Sequence, residues 1–126
     1  MIALVVGVAL TAWSVFGAWP VPEGYAFPRH SIWGGGPAAL FDGVLVEEDG
    51  CIMTEGGGTV VWPPGSWLSV EGGEPIVHVS WRAVRMGERV RMGGGEYSRA
   101  ELTGVAAGAA GTRCPGPFFL TTGTAD

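Results

Sequence analysis

Backbone punctuation limits this chain more than any other feature of its sequence. The 126 residues include 23 glycines and 9 prolines, about a quarter of the chain. Inside a helix, glycine costs about 1 kcal/mol and proline about 3 kcal/mol relative to alanine. Long helical bundles and coiled coils are therefore excluded. Disorder is excluded as well, because 47% of the residues are hydrophobic and only 15% are charged, which leaves ample apolar surface to bury. Short strands joined by tight turns remain.

The turns fall where strand patterns end. Asp49-Gly50 divides Leu40 to Glu48 from Cys51 to Glu55, a strong two-residue hairpin signal. Gly56-Gly57-Gly58 comes before Thr59 to Trp62, and Pro63-Pro64-Gly65 makes a rigid turn before Trp67 to Val70. Gly72-Gly73 leads into the longest run, Ile76 to Arg85. There Val77, Val79, Trp81 and Ala83 alternate with His78, Ser80, Arg82 and Val84. Period two predicts one half-buried strand with Val77, Val79 and Trp81 inward. Met86-Gly87-Glu88 turns into Arg89 to Met92, Gly93-Gly94-Gly95 closes that strand, and Pro117 to Thr122 is the last one. Ser98-Arg99-Ala100-Glu101 is a capping-box pattern with Leu102, Val105, Ala106 and Ala109 on one face beyond it, but Gly104, Gly108 and Gly111 weaken a helix, so 98–110 reads equally as helix or loop. The pattern predicts an all-β domain over 39–126, a small closed or partly open OB-like barrel of about six short strands. Closure removes the edges that an exported monomer must otherwise protect.

Two segments precede this domain. Ile2 to Trp19 is apolar throughout. As a helix it would reach about 27 Å, just short of a bilayer's roughly 30 Å hydrocarbon core. Residues 1–19 thus read as a signal peptide or a membrane anchor; Trp13 and Trp19 suit the anchor, and the end position suits the signal. Residues 20–38, with Pro20, Pro22, Pro28, Pro37 and Gly34-Gly35-Gly36, read as a proline- and glycine-rich linker. Export also explains the cysteines. The only two, Cys51 and Cys114, form one disulfide in an oxidising compartment. Closing so long a loop contributes roughly 4 kcal/mol in the chain-entropy account.

One ordered set of motifs goes further. Gly43 to Ile52 carries a glycine-cysteine strand, Val60 to Gly65 a tryptophan-proline turn, and Val84 to Gly95 a Gly-Glu-Arg-Val turn with a glycine triplet; Cys114 follows. This set, over residues 43–114, resembles a group of small exported proteins of unknown function from high-GC Gram-positive bacteria. The resemblance implies export and supplies no activity or catalytic residue.

Candidate chemistry is sparse. With 12 acidic and 7 basic residues the net charge is −5, so a nucleic-acid footprint is missing. His30 falls in the linker and His78 on the outward side of a strand; with Glu47, Glu48 and Asp49 reading as a solvated turn, no metal site is expected. Ser80, His78 and Asp42 make a triad on paper, without a nucleophile elbow. Gly93-Gly94-Gly95 lacks the Lys-Ser or Lys-Thr of a phosphate loop. Trp62 and Trp67 flank Pro63-Pro64-Gly65 and are expected to approach each other there, either packed over a barrel end or as an exposed ligand platform. Arg82, Arg85, Arg89 and Arg91 are expected on one hairpin face, either as a positive patch or paired with nearby glutamates. Taken together, the residues predict a non-enzymatic exported or membrane-anchored module. It would meet the membrane through residues 2–19, bind an envelope protein or polysaccharide, and need no cofactor. The alternative is a small extracytoplasmic hydrolase using His78.

Overall fold

The computed structural model describes residues 20–32, 39–79 and 82–124. The apolar run Ile2 to Trp19, together with Ser80 and Trp81, lies outside the described residues. The elements are β1 (Ala39–Glu48), β2 (Cys51–Thr54), β3 (Thr59–Val61), β4 (Trp67–Glu71), β5 (Glu74–Val79), β6 (Arg82–Arg85), β7 (Arg89–Tyr97), α1 (Arg99–Val105), α2 (Ala107–Ala110) and β8 (Phe118–Thr124). The fold is mostly β with little helix. Strands β1, β2, β3, β8 and β7 close a five-stranded barrel in that order, and β4, β5 and β6 form a separate three-stranded sheet. Among the described residues no helix is long and apolar enough to cross a membrane.

Local chemistry explains the main turns. Asp49 and Gly50 take φ of 52° and 81°, the positive pair a type I′ hairpin needs. The Gly50 N–H donates to Glu47 Oε2 at 2.8 Å. Two expectations about the strands change. Gly93-Gly94-Gly95 does not end a strand but lies inside β7, where the register against β8 shifts between Gly93 and Gly94. A side chain at Gly94 would collide with the Leu120 carbonyl, so the bulge is reserved for glycine. The run Ile76 to Arg85 is also not one strand: Val79 pairs with Arg82, and β5 and β6 are antiparallel. Buried Val84 and exposed Ala83 then reverse the expected sides. Two of the expected barrel strands, the Trp67 to Val70 strand and the Ile76 to Arg85 run, supply the extra sheet instead.

One apolar cluster joins the barrel interior to this sheet. Leu45, Ile52, Val60, Trp62, Val90 and Met92 from the barrel pack with Leu68, Val77, Val79 and Val84. A second cluster places Leu102, Ala106 and Ala109 of the helical segment over Val61, Phe118 and Leu120. α1 is real, with both arms of the capping box formed at Ser98 and Glu101, and it breaks from α2 at Ala106. Val105, expected on the buried face, is exposed.

The described part of the 20–38 segment is not a free spacer. Ala26 bridges to Cys51 and Arg29 to Trp62, both parallel. Phe27 is buried and stacks on Trp62 with centroids 5.8 Å apart. Buried His30 accepts the Ile32 N–H at Nδ1 (3.1 Å), so its proton sits on Nε2 and is donated to the Thr121 carbonyl at 2.7 Å. Cys51 and Cys114 form the expected disulfide, with Cα atoms 5.8 Å apart.

Candidate functional site

The barrel ring is closed, but one seam is paired over only half its length. β1 pairs with β7 from Ala39 to Val44 and with β2 from Leu45 to Glu48. Upstream of Val44 the β2 side of β1 faces a groove of about 380 Å³. Its far walls are the Thr54–Gly58 turn and the start of β8, Pro117–Phe119, with Glu96 of β7 at the mouth.

The groove exists because small residues leave room. Gly56, Gly57 and Gly58 line one wall without side chains. Gly58 also has to be glycine, since a Cβ there would collide with the Pro117 carbonyl. That carbonyl accepts the Thr59 N–H at 3.0 Å and so ties the turn to β8. Behind the groove-lining Phe41, a Cβ at Gly43 would stand 2.9 Å from the Phe41 ring. Phe41 lies over this gap and meets Phe119 at 5.9 Å between centroids with a 55° tilt. Leu40 is 54% exposed at the rim. The charged lining residues are Glu55 and Glu96, both acidic. The groove therefore offers two half-buried aromatic rings, an exposed aliphatic side chain and two carboxylates, with no basic residue among the described lining.

The expected site residues go elsewhere. Trp62 is fully buried in the core, with no partner for its indole N–H among the described residues, so it cannot act as a ligand platform. Trp67 sits on β4 and stacks on His78 at 3.7 Å, nearly parallel, rather than on Trp62. Arg82 pairs with Glu88 at 2.8 Å on the three-stranded sheet, and Arg89 pairs with Asp42 at 3.0 Å on the barrel. Arg85 lies on β6 and Arg91 on β7. The four arginines are thus divided between two sheets, and two of them carry a carboxylate.

The His78 ring is hydrogen-bonded through Nε2 to Ser69 Oγ at 2.8 Å. Partial burial holds it below its ordinary value; Glu71 opposes that shift and Arg85 adds to it. The paper triad is not assembled, because Asp42 is engaged by Arg89 on β1 and Ser80 lies outside the described residues. Among the described residues no group of three or more His, Cys, Asp or Glu side chains is placed to hold a metal ion.

Two arginines that the sequence reading passed over build the frame. Arg99 donates to the carbonyls of Ala110, Thr112 and Cys114 and lies 4.9 Å from the Phe118 ring centroid. Arg113 donates to the carbonyls of Asp49 and Gly24, clamping the first hairpin to the 20–32 segment. Arg99 lies within the Ser98–Glu101 capping pattern, which gives it no role of its own, and Arg113 stands with no acidic residue three or four positions away. The groove itself has a faint signal, the Gly56-Gly57-Gly58 triplet opposite a strand that opens with Leu40-Phe41. Compared with protein-family models, curated proteins and solved structures, this chain matches none.

Proposed function

We propose that this chain is a non-enzymatic, extracytoplasmic binding module of OB-like design, delivered to or held at the membrane by residues 2–19, which engages a cell-envelope partner through the groove beside β1. The observation that carries this reading is the groove itself. Its roughly 380 Å³ falls within the range of ligand pockets, and its aromatic, aliphatic and acidic lining is left open in a domain this small. The Cys51–Cys114 disulfide supports an oxidising compartment. The ring order β1-β2-β3-β8-β7, with β3 parallel to β8, supports the OB-like assignment, with β4 to β6 as an insertion. OB barrels generally use the face of their second and third strands for oligonucleotides and oligosaccharides. Here that face is covered by Ala26, the disulfide and the helical segment, which favours the groove.

The test is a fusion of the full chain to a C-terminal phosphatase that is active only outside the cytoplasm, combined with thiol alkylation without reductant. Active phosphatase and unlabelled cysteines are expected. An inactive fusion with both thiols labelled would contradict the reading.

The hydrolase alternative has one favourable observation, the Ser69–His78 hydrogen bond. A carboxylate bonded to the other ring nitrogen is missing among the described residues, and neither Ser69 nor His78 lines the groove. Fluorophosphonate treatment is expected to leave Ser69 unmodified; modification would favour the hydrolase.

A further inference from the structure

The hydrogen-bond phase of β1 says what the groove can hold. Glu48 pairs with Cys51 across the two-residue turn, and the Val44 carbonyl accepts the Glu55 N–H at 3.0 Å. The even-numbered residues of β1 therefore aim their N–H and C=O groups toward β2. The odd-numbered ones aim toward β7, as the Leu45 carbonyl does in accepting the Gly87 N–H at 2.9 Å. By the same alternation, Leu40 and Asp42 direct their N–H and C=O groups to the side where β2 no longer reaches, and Leu40 lines the groove there. No described residue pairs with β1 on that side upstream of Val44. These four backbone groups, about 6.8 Å apart from one residue's pair to the next, form an open strand edge.

Building on the groove reading above, we infer that the groove takes an extended peptide by strand addition to Leu40–Asp42, and that this peptide carries both apolar and basic side chains. Backbone groups of the incoming strand continue the line of β2 along β1. Its side chains on the barrel side meet Phe41 and Phe119, which selects apolar residues. Its charged side chains meet Glu55 and also Glu96, which lies opposite Phe119 in the β7–β8 register and so beside that ring, and these carboxylates select cations. The same charges argue against a second copy of this chain as the occupant. Self-pairing would bring like carboxylates together on molecules that each carry a net charge of −5.

The experiment titrates full-length isotope-labelled protein with an acetylated, amidated octapeptide of alternating lysine and valine. Amide exchange and chemical shifts are followed. Shifts at Phe41, Gly57 and Phe119 are expected, together with new exchange protection of the Leu40 and Asp42 amides. N-methylating the peptide along one edge should abolish binding, and a glutamate-valine peptide should not bind. The double variant Glu55→Gln, Glu96→Gln should weaken binding roughly two- to ten-fold at low salt, while its unbound spectrum shows an intact fold. Three results would overturn the inference and leave the groove as a site: binding without protection of Leu40 and Asp42, equal binding of the N-methylated peptide, or groove shifts produced by chitohexaose instead. Concentration-dependent dimerisation that protects Leu40 and Asp42 without peptide would overturn it in favour of self-association. An absence of groove shifts with every probe at millimolar concentration would overturn the inference and the groove reading together.

Discussion

Single residues decide most where polar atoms are buried. His30 satisfies a local donor, the Ile32 N–H, and a distant acceptor, the Thr121 carbonyl. His30→Ala removes both bonds, and urea unfolding should show a loss of about 1–3 kcal/mol; an unchanged midpoint would mean that the 20–32 segment does not hold to the barrel. His78 gives a pH dependence. Burial keeps its folded-state affinity for protons below that of the unfolded chain. Its contribution is fully present above about pH 6.5 and is lost as the pH falls through the lower folded-state value. Urea midpoints at pH 7.5 and pH 5.5 should therefore fall less for His78→Gln than for the unaltered protein; equal falls would contradict the stacked, partly desolvated ring. Neither role was legible in the sequence. His30 sits among prolines, where no periodicity marks burial, and its Thr121 partner, like the Ser69 partner of His78, is supplied by the placement of a strand.

At the scale of elements, legibility followed the range of the interaction. The Asp49-Gly50 hairpin and the Ser98–Glu101 cap are contained within four residues, and both form as the local pattern implies. Ser98→Ala should cost about 1 kcal/mol by removing the cap, measured as a shift in the unfolding midpoint; no shift would mean that Arg99 and the packing of Leu102 hold α1 without the cap. The run from Ile76 to Arg85 misled because the chain reverses between Val79 and Arg82, and a reversal changes the side that each parity faces. The disulfide was legible from cysteine number alone. Its double variant Cys51→Ser, Cys114→Ser should lose about 2–5 kcal/mol in urea unfolding under oxidising conditions. A loss below about 1 kcal/mol would mean that the Arg99 and Arg113 hydrogen bonds already fix the loop that the bridge closes.

For the whole molecule, the sequence contained the barrel class and the compartment argument, but not the site. Tryptophans and arginines drew attention because they are large and charged. The core took Trp62, the extra sheet took Trp67, and carboxylates took Arg82 and Arg89. What remained open was made by absence of side chains, at Gly56 to Gly58, and by a seam where β1 outruns β2. Such a gap depends on the relative lengths of strands far apart in sequence, which composition and periodicity do not encode. The open groove therefore requires that β1 have one paired edge and one open edge between Ala39 and Val44. Amide hydrogen exchange of the free, full-length protein measures this directly. Phe41 and Gly43, bonded toward β7, should exchange slowly, and Leu40 and Asp42, whose amides face away from β7, should exchange at least tenfold faster. Uniform slow exchange across residues 40–43 would mean that the edge is already covered and would contradict the open groove.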